Sequence, residues 1–347
     1  MHILNIMLGK SHGGLEQVAI DYHLAFESRG HKVTTVVPPS SWAKTVLQSF
    51  TTNIIDFKNA GQWDPVAAYK LSKIIKQEKP DAIICHGNRA IRICLNAAKG
   101  RAPVIAVAHN CKNKKFDKCD AIFCITKQLV RRMLSFGIPE EKIFHIPNMV
   151  AFAEVPNRPA LRTPPVIGAF GRIVKGKGFE IYIKALSILK KEGIQFHAIL
   201  GGDGPNKEKL CSEIKQANLT NDITMLGWIT DKDAFFKSID VFVLPSKHEA
   251  FGIVLIEAMN EAVPCISTRS NGPIEILTDK MDGLLTPIDD AEALAIAIKL
   301  LLANASLCTE YGEAGRETVR TKYTMSIVSK LLESSTTTLL PQFYNVS

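Results

Sequence analysis

Nowhere does this 347-residue chain hold the roughly 20 consecutive apolar residues that a membrane-spanning helix requires. Its most apolar stretch, Ala293 to Ala305, is interrupted by Lys299. No cysteine stands in a C-x-x-C pair, which argues against a zinc ribbon or a redox dithiol. The eight cysteines are scattered, several inside apparent strands, and read as reduced packing residues. His109, Cys111 and Cys119 fit no standard zinc spacing, so no metal is expected. The full G-x-G-x-x-G fingerprint is missing, which withdraws support from a dinucleotide dehydrogenase. Met1 to Gly9 has neither a basic leader nor a small-residue cleavage site. It reads as a first strand, and a cytosolic protein is expected.

What is present is an ordinary globular composition, 46% hydrophobic and 22% charged, long enough for two domains. Strand-like runs alternate with helical patterns, the signature of parallel α/β sheets. In the first half they are 3–8, 33–37, 53–57, 82–85, 104–108, 121–125 and 143–145. The stretch 151–165, with Pro156, Pro159, Pro164 and Pro165, has no periodicity and reads as a linker. Strands then resume at 166–170, 197–200, 223–226, 241–244 and 265–267, and the chain ends in consecutive helices. The domains expected are 1–155, 156–325 and a helical tail, 326–347, that either caps the second domain or crosses back onto the first.

The charge is uneven. Residues 1–160 carry 22 lysines and arginines against 12 acids, a net +10, whereas the remainder is −2. Such a field attracts phosphates or an anionic surface. Lys112, Lys114, Lys115 and Lys118 follow His109 closely, and Lys127, Arg131 and Arg132 lie on an expected helix.

The candidate chemistry sits just after strands. Gly13-Gly14 opens a helix after the first strand, where backbone amides can meet an anion. Gly171-Arg172-Ile-Val-Lys-Gly-Lys177-Gly178 sets cations among glycines at a strand's carboxyl end, which suits a diphosphate. The turn Gly201-Gly202-Asp-Gly-Pro205 reads equally as a binding loop or as punctuation, with Pro205 suited to the first turn of the next helix. Most informative is Glu249-Ala-Phe251-Gly252-Ile253-Val-Leu-Ile-Glu257-Ala-Met259. Glu249 would lie in a loop and Glu257 inside a helix among apolar neighbours, both facing one crevice. The amides near Phe251 and Gly252 are free for a phosphate, and a carboxylate is the expected partner of paired ribose hydroxyls. Asp231-Lys-Asp233 has a metal-binding D-x-D spelling, but its place ahead of a helix makes capping the better reading.

Taken together, these segments resemble glycosyltransferase family 4, the retaining transferases of the GT-B fold. Glu249 and Glu257 match the family's E-x7-E motif, and Gly13-Gly14, Gly171-Arg172 with Lys177, 201–205 and Asn271-Gly-Pro-Ile-Glu275 extend the match over most of the chain. Asn110 and Asn271 depart from the usual pattern, which bears on the donor sugar rather than on the reaction. The resemblance implies two doubly wound Rossmann-like domains facing a central cleft, with the acceptor on the first and a nucleotide diphosphate sugar, a substrate rather than a cofactor, on the second. Arg172 and Lys177 would bind the donor diphosphate, Glu257 the ribose and Glu249 the sugar. Phe251, Gly252 and Ile253 would add backbone contacts, and His109 would stand near the reacting centre. It also implies same-face attack with no enzymic nucleophile, unlike the paired carboxylates of a retaining glycosidase.

A phosphorylated glycolipid acceptor follows from the basic first half: a lipopolysaccharide core or a phospholipid met at an anionic inner membrane face. A nucleotide-sugar epimerase would share the donor contacts without an acceptor. A nucleic-acid-binding protein would explain the charge but not the E-x7-E helix, and no nucleic acid is expected.

Overall fold

The computed structural model describes residues 1–111, 115–152, 158 and 160–344. Pro156 and Pro159 of the expected linker, and Lys112 and Lys114 of the basic loop, lie outside the described residues. The chain divides into two compact units, Met1–Met149 with Thr324–Ser347, and Val150–Tyr323.

The first unit is a parallel sheet of seven strands: β1 (His2–Met7), β2 (Lys32–Val37), β3 (Ile54–Asp56), β4 (Ala82–His86), β5 (Val104–Ala108), β6 (Ala121–Cys124) and β7 (Ile143–His145), in the order β3-β2-β1-β4-β5-β6-β7. Strands β4 and β5 are buried along their whole length, which is why they appear as unbroken apolar runs and not as alternation. The helices are α1 (Gly14–Ser28), α2 (Trp42–Leu47), α3 (Pro65–Glu78), α4 (Gly87–Ala98) and α5 (Lys127–Ser135). Right-handed crossovers put α1 and α2 on one face of this sheet and α3, α4 and α5 on the other.

The second unit repeats the plan with six parallel strands: β8 (Val166–Phe170), β9 (His197–Gly201), β10 (Ile223–Gly227), β11 (Val241–Leu244), β12 (Cys265–Thr268) and β13 (Leu284–Thr286), ordered β10-β9-β8-β11-β12-β13. Helices α6 (Phe179–Lys191), α7 (Lys207–Gln216), α8 (Lys232–Ser238), α9 (Ile253–Asn260), α10 (Pro273–Ile276), α11 (Ala291–Leu302) and α12 (Ala305–Lys322) join them. Pro205 stands two residues ahead of α7, outside its first turn, because Asn206 takes the N-cap. The apolar stretch singled out above turns one face to the core: Leu294, Ile298 and Leu301 pack beneath β-strand residues such as Ile266, while Ile296 and Leu300 stay exposed. Among the described residues no single helix is long and apolar enough to cross a membrane.

The last helix, α13 (Met325–Tyr344), belongs to the first unit and packs on α1. Its Glu333 accepts from Arg29 at 2.6 Å and lies 2.9 Å from His31 Nε2.

Candidate functional site

In each sheet the strand order reverses at one point, between β1 and β4 and between β8 and β11. The crevice beyond the carboxyl ends of strands at such a point is where open α/β sheets bind ligands. The residues singled out from sequence gather at these ends.

In the second unit, the loops after β8, β9, β11 and β12 are sewn together by main-chain bonds. Gly171 N donates to Gly201 O at 3.1 Å, Ile173 N to Asp203 O at 2.8 Å, Lys247 N to Gly176 O at 2.9 Å and Gly272 N to Glu249 O at 2.9 Å. Two glycines make the close approaches feasible. Gly202 (φ +133°) brings its Cα so near the β8 loop that a Cβ would stand 1.9 Å from Gly171 O, and a Cβ on Gly178 (φ +70°) would stand 1.8 Å from Pro245 O. Both clashes are with main chain, which cannot swing away. Gly202→Ala is therefore expected to shift the β8 loop, lowering Tm by several degrees and weakening ligand binding at Arg172 together; differential scanning fluorimetry with and without ligand checks both.

Within this frame each carboxylate of the E-x7-E pair has its own lysine. Glu249, in the loop before α9, accepts from Lys177 Nζ at 2.5 Å and from Ser246 Oγ at 3.2 Å. Glu257, inside α9, accepts from Lys232 Nζ at 2.5 Å through Oε1, while its Oε2 is buried with no partner among the described residues. Its neighbours Leu255, Ile256, Ala258 and Met259 are buried, as the apolar surroundings in the sequence require. Gly252 is the N-cap of α9 without a side-chain cap, so the first amides, at Ile253 and Val254, have no helical acceptor. Phe251 itself is buried against Tyr323, ring centroids 5.8 Å apart, so what it presents to a ligand is main chain.

Arg172 is exposed at the carboxyl end of β8, and its guanidinium has no partner among the described residues. A free planar fork and unsatisfied helix amides, both at the carboxyl ends of this sheet's strands, are each suited to a phosphate group. Lys247 is engaged elsewhere: bonds to Asp289 (2.5 Å) and Glu180 (3.1 Å) hold its pKa above the usual value.

Sequence reasoning missed Lys232. It stands at the first position of α8, where Asp231 accepts from Ala234 N at 2.9 Å as the N-cap, so the D-x-D carboxylate is spent on the helix end. Nothing in the sequence ties it to Glu257, 25 residues on; only the sheet order brings them together.

In the first unit, Gly13 is the N-cap of α1 and Gly14 its first residue. Glu16, buried in the first turn, already brings its carboxylate to this end: Oε1 lies 2.5 Å from where a Gly9 Cβ would stand. His109 follows β5 directly, and burial pushes its pKa down to about 4. Its Nε2 is buried with no hydrogen-bond partner among the described residues.

The adjacent His86, at the end of β4, was also missed although it too is a histidine at a strand's carboxyl edge. Its ring centroid is 6.1 Å from that of His109, and its Nε2 is 2.8 Å from Asn5 Oδ1. Asn5 in turn donates to Ala19 O and Thr35 Oγ1, so the amide oxygen must face His86 and the histidine must carry its proton on Nε2. Burial, and then the neighbouring His109, hold His86 well below its ordinary pKa.

Both imidazoles are neutral at pH 7. Because their folded pKa values lie below the ordinary 6.5, the unfolded chain binds more protons in acid. Stability is therefore complete above about pH 6.5 and falls as the pH drops toward 4, by up to about 1.4 kcal/mol per unit for each histidine. Urea titrations from pH 7 to 4.5 test this, and His109→Gln is expected to flatten the slope.

Comparison with known proteins finds glycosyltransferases along most of both units. Residues 153–318 match the family described as glycosyl transferases group 1, and residues 12–154 match glycosyltransferase family 4. The chain is 29% identical to the lipopolysaccharide core biosynthesis glycosyltransferase LpsE of Rhizobium meliloti (strain 1021), over 92% of this chain and 94% of that one. Among solved structures it is similar to a glycosyltransferase from Rickettsia africae, with TM-score 0.84, 21% identity and coverage of 97% and 98%. It is also similar to Anabaena HepE, described in complex with UDP-glucose, with TM-score 0.83, 20% identity and coverage of 96% and 99%.

Proposed function

Because the chain belongs to the family 4 glycosyltransferases, of the GT-B fold, we propose that it moves a hexose-type sugar from a nucleoside diphosphate sugar to a phosphorylated glycolipid, with retention at the anomeric carbon and without a metal. Two relatives that match over nearly the whole chain are named for lipopolysaccharide core biosynthesis, and a lipopolysaccharide core is the acceptor of first choice.

The observation that carries the donor assignment is Glu257. A carboxylate with one oxygen on Lys232 and the other buried and unpartnered needs a hydroxyl donor. A ribose supplies two. Arg172 and the first amides of α9 then take the diphosphate, and Glu249, oriented by Lys177, accepts from the sugar hydroxyls. The bond from the anomeric carbon to the diphosphate breaks, charge grows on the leaving oxygen, and Arg172 stabilises it. An acceptor hydroxyl that attacks from the same face has that oxygen beside it to take its proton. Arg172 and the first amides of α9 do the work a divalent ion would otherwise do. Neutral His109, with its buried Nε2 unpartnered among the described residues, offers a hydrogen bond to a substrate held by the first unit. The protein works in the cytosol, meeting its acceptor at the inner face of the membrane.

The test is incubation in EDTA with a panel of nucleotide sugars and truncated lipopolysaccharide cores, read by mass spectrometry and by NMR of the new anomeric centre. Transfer with retained configuration is expected; an isomerised donor without acceptor product would instead make the protein an epimerase.

A further inference from the structure

The two faces of the first unit are unlike. One is covered by α13 lying on α1. On the other, α3 turns Ala67, Leu71 and Ile75 inward and leaves a row of large apolar groups in solvent: Val66 is 58% exposed and Tyr69 63%, and Trp63, just ahead of the helix, is 72%. Lys70 and Lys73 share this outer row, and the Lys73 ammonium lies 4.7 Å from the Tyr69 ring centroid. The Arg92 guanidinium, from α4, stacks on one face of the Trp63 indole at 3.0 Å.

No acid interrupts this row. Asp64 is folded under as the N-cap of α3, accepting from Ala60 N and Ala67 N, and the next acid, Glu78 at the far end, faces Lys32 and Thr34. The positive field continues past Arg92. The Lys115 ammonium is pushed down by the charge of Lys118, by desolvation and by Arg92.

We propose that Trp63, Val66 and Tyr69, with Lys70, Lys73 and Arg92, form a docking surface for the headgroup layer of an anionic bilayer. Indole and phenol rings with an apolar body and a polar tip fit the boundary between headgroups and acyl chains, and flanking lysines and arginines pair with anionic lipid. A second copy of this chain is a poor occupant, since a self-complementary contact would set these cations against one another. This surface lies on α3 and α4 rather than on the basic helix α5 that the sequence brings forward. It deepens the reading of a membrane-borne acceptor, but its test needs neither donor nor acceptor.

The experiment uses the full chain with Trp42→Phe and Trp228→Phe, leaving Trp63 as the single tryptophan, and vesicles of phosphatidylcholine with and without phosphatidylglycerol. A blue shift of Trp63 emission and co-sedimentation are expected with the anionic vesicles alone. Lys70→Ala with Lys73→Ala should lower partitioning by about 30-fold without changing Tm. Trp63→Ala should leave a weaker, wholly salt-sensitive binding. Unchanged Trp63 emission on anionic vesicles overturns the proposal. So does binding lost on Arg131→Ala with Arg132→Ala but kept without Lys70 and Lys73, or a Trp63-dependent dimer in sedimentation equilibrium. If vesicle binding holds while transfer to lipid acceptors fails, the acceptor reading falls and this surface stands.

Discussion

Arg172→Ala is expected to lower kcat/KM by about 100- to 1000-fold while leaving the melting temperature unchanged, the usual cost of removing one donor aimed at charge that develops in the transition state. The separation of the two effects is the informative part. Arg172 is exposed and its guanidinium bonds to nothing else among the described residues, so the folded protein loses no contact with it. A residue kept for stability would show the opposite pattern. Arg172→Lys should recover only part of the loss, because an ammonium restores charge but not the planar fork that grips two phosphate oxygens at once. Steady-state kinetics beside a thermal melt of the same preparations decides it.

Glu257→Ala should act on binding and on stability together. Two hydrogen bonds from ribose hydroxyls to a carboxylate are worth about 1.5–3 kcal/mol each, so the donor KM should rise by at least about 100-fold. The same substitution strands Lys232, whose ammonium is 2.5 Å from the carboxylate and only about one third exposed. Glu257→Gln separates the contributions. It keeps an acceptor oxygen near the ribose while removing the charge, so its KM should fall between wild type and alanine. Lys232→Met should shift donor affinity in the same direction without touching Glu249 or Arg172. If Glu257→Ala left the donor KM unchanged, the ribose assignment would be wrong even were the enzyme still a transferase.

Much of the fold is legible in the residues for a single reason: parallel strands covered on both faces are continuous apolar words such as Val166-Ile-Gly-Ala-Phe170 and Val241-Phe-Val-Leu244, and both are found at those bounds. Strand β13 is not legible. It is three residues long, lies between Gly283 and Pro287, and owes its conformation to pairing with β12. The loop glycines and the E-x7-E segment announce a site because their chemistry is local. Lys232 and His86 do not, since each matters through a partner far along the chain: Glu257 and Asn5. Of these His86 left a usable trace, being a histidine at the carboxyl end of a buried strand next to a glycine, the same position in which His109 drew notice.

The central claim is that the second unit holds a nucleoside diphosphate on Arg172, Glu257 and the start of α9. The most direct measurement is isothermal titration of the full chain with UDP, GDP, ADP and TDP in EDTA, repeated on Arg172→Ala. One of the four should bind to the wild-type chain and bind at least about tenfold more weakly to the variant. Failure of all four to bind, or equal affinity in the two chains, would contradict the account.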